Sequence, residues 1–160
     1  MVEQKLPDGF DSDAYANGAV EKIKKLPIGQ VFDLGNLHLE VIGMEGHTPG
    51  SVGLLAREHR ILLNSDAANS HVWMYLDESL PVNQYAAMLE RTMQLEFDTF
   101  FVGHANVPFP KSMFEKFINV ANNVTIEKSQ PYEVIPGLKG FLYMEGDLGI
   151  VVSKKTLGFN

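Results

Sequence analysis

Gly46-His47-Thr48-Pro49-Gly50-Ser51 runs directly into Val52-Gly53-Leu54-Leu55, and these ten residues decide how the rest of the chain is read. A histidine stands at the mouth of an apolar run. The glycine beside it, like Gly103 beside His104 further along, lets the backbone turn sharply, and Pro49 stiffens the loop that carries it. Two later segments share the design. Leu62-Leu63-Asn64-Ser65-Asp66 ends an apolar run on a carboxylate, and Phe101-Val102-Gly103-His104 ends one on an imidazole. In each case a strand is expected to deliver one polar side chain to a loop, where the strand fixes it and the loop leaves it accessible.

The residue types define the chemistry on offer. Neutral imidazole nitrogen suits zinc or iron, and a carboxylate can bridge two cations. The chain has no cysteine. Thiolate metal sites and cysteine nucleophiles are therefore excluded, and any metal must be held by imidazole and carboxylate.

Gly-His-Thr-Pro-Gly-Ser followed by Val-Gly-Leu-Leu, with Asp66 and His104 after it in order, resembles the metallo-β-lactamase superfamily, including its glyoxalase-II-like hydrolases. The resemblance covers roughly residues 29–125. It implies that His47 ligates a first metal, that Asp66 bridges two metals, and that His104 ligates the second. It also implies a dinuclear hydrolase, with zinc the first choice of metal and iron or manganese as alternatives. Metal-bound hydroxide would attack an ester, thioester, amide or phosphoester. The last segment departs from the family pattern: Val102 stands where proline is common, and Ala105-Asn106 where another glycine is common.

The family's first motif, His-x-His-x-Asp-His, is absent. The five histidines are His38, His47, His59, His71 and His104, and no two are separated by a single residue. Three donors with one shared fall short of the three protein ligands per zinc usual in hydrolytic sites. The chain is therefore expected to be the C-terminal part of a metallo-β-lactamase-like domain, to bind metal weakly and to have little or no activity alone. The alternative is a non-catalytic interaction or dimerisation module with vestigial ligands. His71, in Asn69-Ser70-His71-Val72-Trp73-Met74-Tyr75, is a candidate substrate contact at the rim of the site. The plainer reading of that stretch is a surface loop or helix start, with Trp73 and Tyr75 either lining a pocket or anchoring the core.

Working outward, hydrophobic periodicity predicts a short helix over 13–26 and strands over 30–34 and 37–42. The runs 51–56 and 61–64 read as a hairpin buried on both faces or nearly so. Residues 81–96 and 110–124 have helical stripes, 99–102 is of strand type, and 140–154 forms a terminal hairpin. The first eleven residues are polar and expected to be loose. The expectation is an α/β (α+β) single domain over 1–160: half of an αββα sandwich, with one mixed sheet and helices mainly on one face. Such a half leaves an apolar sheet face bare, to be covered by the missing N-terminal half or by a second copy in a homodimer.

A formal net charge of -7 without a basic stripe argues against nucleic acid. No apolar run reaches the roughly 20 residues needed to span a bilayer, and the first residues hold no apolar signal core, so a cytoplasmic location and no membrane partner are expected.

Overall fold

A computed structural model of the chain describes Gly9 and residues 11–22 and 24–159. The N-terminal stretch expected to be loose lies largely outside these residues. The described elements are α1 (Ser12–Lys22), β1 (Val31–Asp33), β2 (His38–Gly43), β3 (Val52–Ala56), a 3-10 turn (Arg57–His59), β4 (Ile61–Ser65) and β5 (His71–Met74). Then follow α2 (Val82–Met93), β6 (Thr99–Val102), β7 (Phe109–Pro110), α3 (Met113–Asn123), β8 (Gln130–Tyr132), β9 (Gly140–Glu145) and β10 (Leu148–Val152).

The class is α+β as expected, but the strands form two sheets rather than one. The larger runs β1-β2-β3-β4-β6-β7 and the smaller β5-β10-β9-β8. Both are mixed: β4 pairs with β6 in parallel, and β5 with β10 in parallel. The second sheet is built on the terminal hairpin β9–β10, and His71–Met74 joins it as an edge strand rather than the loop or helix start that its sequence suggests.

Helices α2 and α3 pack on each other and lock the two sheets into one core. Phe114 and Phe117 of α3 lie edge-on to Phe100 of β6, with ring centroids 5.0 and 6.0 Å away. The same helix packs against β9 and β10. Leu55, Leu62 and Phe100 from the large sheet join Val72, Met74, Ile150 and Val152 from the small one in a single buried cluster. Burying a side chain of this size stabilises by roughly 1.5–3 kcal/mol.

The opposite face of the large sheet is not covered in the same way. Leu54, Leu63 and Phe101 stand side by side in register. Leu63 is 39% exposed, and Leu54 and Phe101 are half-buried. The hairpin read as buried on both faces is thus fully buried on one. Among the described residues no helix is long and apolar enough to cross a membrane.

Candidate metal and substrate site

Sheet topology brings the three loops together. Because β4 and β6 are parallel, their C-terminal ends lie at the same sheet edge. Because β3 is antiparallel to β4, its N-terminal end lies there too. The loop carrying His47 precedes β3, Asp66 follows β4 and His104 follows β6, so all three reach one rim. They line a single cavity of about 540 Å³ together with His71, Trp73, Val102, Phe109 and Tyr132.

His47 is fixed from two sides. Its Nδ1 donates to the carbonyl oxygen of Trp73 at 2.6 Å. A carbonyl can only accept, so the neutral ring carries its proton on Nδ1 and leaves the Nε2 lone pair free, the arrangement that metal-binding histidines use. Its backbone carbonyl accepts from the buried Ser79 hydroxyl at 2.8 Å. The loop is closed by the Thr48 and Ser51 hydroxyls, 2.9 Å apart. A Cβ on Gly46 would come within 2.5 Å of the Tyr85 ring, so the loop needs this glycine for space as well as for its turn.

Asp66 is aimed by an irregularity. The register of β4 on β6 shifts between Leu63 and Ser65, and Ser65 adopts φ 48°. A bulge and a left-handed residue together swing the chain out of the sheet just before the carboxylate. Gly103 allows the approach of the last segment: a Cβ there would lie 3.1 Å from Asp66 Oδ1. Its φ is not in the left-handed region, so its part is close packing rather than the sharp turn read from sequence.

His104 Nε2 lies 3.1 Å from Asp66 Oδ1, yet that buried oxygen has no hydrogen-bond partner among the described residues. The two atoms are close without being aligned as donor and acceptor. Two donors sharing one small cation stand at a similar separation, about 3.3 Å for tetrahedral zinc. The orphaned Asp66 oxygen and His104 Nε2 thus fit an edge of a metal site, and His47 turns a free nitrogen toward the same cavity. They do not complete one: no group of three or more His, Asp or Glu side chains close enough to hold an ion occurs among the described residues. His104 is also largely exposed, at 79% of its side chain.

His71 lies on β5 at the cavity wall, where strand alternation turns His71 and Trp73 outward and buries Val72 and Met74. His38 and His59 are exposed and are not among the residues that line this cavity. Sequence reading missed Phe109 and Tyr132 as cavity residues. Both sit on two- or three-residue edge strands that contain a proline, which carry almost no periodic signal.

No protein-family model matches the sequence, and no curated protein matches it. Solved structures do match the fold. A metallo-beta-lactamase from Pontibacter korlensis aligns at a TM-score of 0.50 and 17% identity over 68% of this chain and 55% of its own. An archaeal metallo-beta-lactamase superfamily protein from Sulfolobus tokodaii aligns at 0.51 and 19% identity, over 73% and 45% respectively. The chain thus spans about half the length of these structures. Over the part that it spans, this chain has the metallo-β-lactamase fold.

Proposed function

We propose that the chain is the C-terminal part of a metal-dependent hydrolase that cleaves an ester, thioester, amide or phosphoester, and that on its own it has little or no activity. The observation that carries this reading is the meeting of His47, Asp66 and His104 at one cavity, with a buried Asp66 oxygen 3.1 Å from His104 Nε2 that accepts no hydrogen bond among the described residues. His47 through Nε2, Asp66 through Oδ1 and His104 through Nε2 would hold divalent cations, zinc first among them. When bound, such cations polarise a carbonyl or phosphoryl oxygen and make water acidic enough to ionise near neutral pH. The chain's own residues do the positioning: Trp73 and Ser79 orient His47, the Ser65 kink aims Asp66, and His71 presents an imidazole to the cavity wall. Three donors are too few for two complete ions, which supports weak binding by this chain alone.

Cobalt(II) titration tests the reading. Visible absorption of a low-symmetry nitrogen–oxygen site should grow in at high micromolar to millimolar cobalt and be lost in Asp66→Asn. Hydrolysis of 4-nitrophenyl acetate should stay within about twofold of metal alone. Absence of any cobalt spectrum, or full turnover by this chain, contradicts it.

A second reading has support of its own. The lack of a complete ligand group among the described residues and the partly exposed Leu54–Leu63–Phe101 band both suit a non-catalytic module that uses this sheet face to pair with a second copy.

A further inference from the structure

We infer that the cavity contains an apolar subsite, apart from the donor cluster, that takes an uncharged arm of aromatic size on the substrate; this rests on the cavity being the substrate site proposed above. One wall is a row of rings. Trp73 meets Tyr75 edge-on at 5.7 Å, and Tyr75 meets Tyr132 edge-on at 5.9 Å. Tyr75 is buried and serves as the support, while Trp73 and Tyr132 are half-buried and face the cavity. The row is seated on the small sheet where side chains are missing. A Cβ at Gly140 would fall 2.7 Å from the Tyr75 ring, and one at Gly149 would fall 2.9 Å from the His71 ring. Rings that fill glycine gaps in neighbouring strands are held in place by the sheet itself.

The rest of the apolar lining is aliphatic and aromatic carbon. Val102 lines the same cavity with Phe109, whose ring stacks on the buried Phe100 at 5.6 Å and 27°. Both parts of this lining are therefore tied to the core rather than to loops. The cavity, at about 540 Å³, has the size of small-molecule sites.

Charge narrows the class of ligand. Among the described residues no lysine or arginine lines the cavity, and Asp66 does. An arm bearing a phosphate or carboxylate would leave water for a carbon wall and meet no cationic side chain there, which is unfavourable. An uncharged aromatic or similarly sized apolar arm loses nothing comparable and gains face and edge contacts with Trp73, Tyr132 and Phe109.

Trp73 is the only tryptophan in the chain, so its emission reports directly on this wall. The test titrates the full chain, in the presence of a chelator, with phenylacetamide and with phenyl phosphate. These share a ring and differ in charge. Phenylacetamide should change Trp73 emission saturably, and phenyl phosphate should bind at least about tenfold more weakly. Tyr132→Ala should weaken phenylacetamide by roughly tenfold, whereas Tyr132→Phe should retain it. No saturable change with phenylacetamide, equal or tighter binding of phenyl phosphate, or an unaltered affinity in Tyr132→Ala overturns the subsite. Because the titration is free of metal, failure of the metal reading leaves its outcome unchanged. Failure here likewise leaves the cobalt experiment standing.

Discussion

Ser65 carries a cost that the site explains. A non-glycine residue at φ 48° is disfavoured by contact between its Cβ and the backbone, by about 1–2 kcal/mol. The kink places Asp66 at the cavity, where the chain would otherwise continue along β6. Replacing Ser65 with valine adds a β-branch at that conformation. Ser65→Val should lose about 1–2 kcal/mol in urea denaturation, and Ser65→Gly should lose none. Gly103 shows how far a residue can be read from sequence. Its neighbourhood to His104 was legible, but its reason was not, since the oxygen it makes room for lies in another loop. His47 is similar: the hexapeptide marks it, while the Trp73 carbonyl that sets its tautomer comes from the other sheet.

Among the elements, the parallel pair β4–β6 is the one on which the site depends. At the end remote from the cavity it is tied by Arg60, which precedes β4, and Asp98, which precedes β6. Nε of Arg60 donates to Asp98 Oδ2 at 2.8 Å, Nη2 donates to Oδ1 at 2.9 Å, and the Asp98 amide donates to the Arg60 carbonyl at 2.8 Å. The guanidinium hydrogen bond holds the Asp98 carboxyl below the usual carboxylate range. A folded-state value below the unfolded one means that the contribution is present in full above pH about 4 and fades as pH falls through the folded value. The urea midpoint should therefore drop between pH 5 and pH 3, and Asp98→Asn should drop less over the same interval. Helices α2 and α3 and strands β3, β4 and β6 were legible because each has a stripe or run long enough to show its period. Strand β5 was not: its four residues mix His71 and Trp73 on one face with Val72 and Met74 on the other. What makes them a strand is parallel pairing with β10, far along the chain.

At the scale of the whole molecule, one face of the large sheet is packed by helices and the other is only partly covered: Val41 is buried there, while Leu63 beyond Leu54 is 39% exposed. Leu54, Leu63 and Phe101 form a contiguous apolar band across three strands, and Phe32 of β1 is 37% exposed on the same sheet. Apolar bands of this kind are seldom left in water by soluble monomers. The chain alone should run as a homodimer in light scattering at micromolar concentration, and Leu63→Asp should shift it to monomer while leaving the fold intact. A monomeric mass for the unaltered chain would count against this. The sequence led to one half of a sandwich with a single sheet. The terminal hairpin, β9–β10, was legible, but the flanking strands β5 and β8 that complete the second sheet were too distant or too short to pair by inspection.

The central claim is that an imidazole, a carboxylate and a second imidazole act together at one rim. Zinc calorimetry on the full chain, alongside His47→Ala, Asp66→Asn and His104→Ala, tests it most directly. Saturable zinc binding weaker than about micromolar is expected, reduced by roughly tenfold or more in each of the three variants. Zinc binding that survives all three substitutions unchanged, or nanomolar binding by the chain alone, would contradict it.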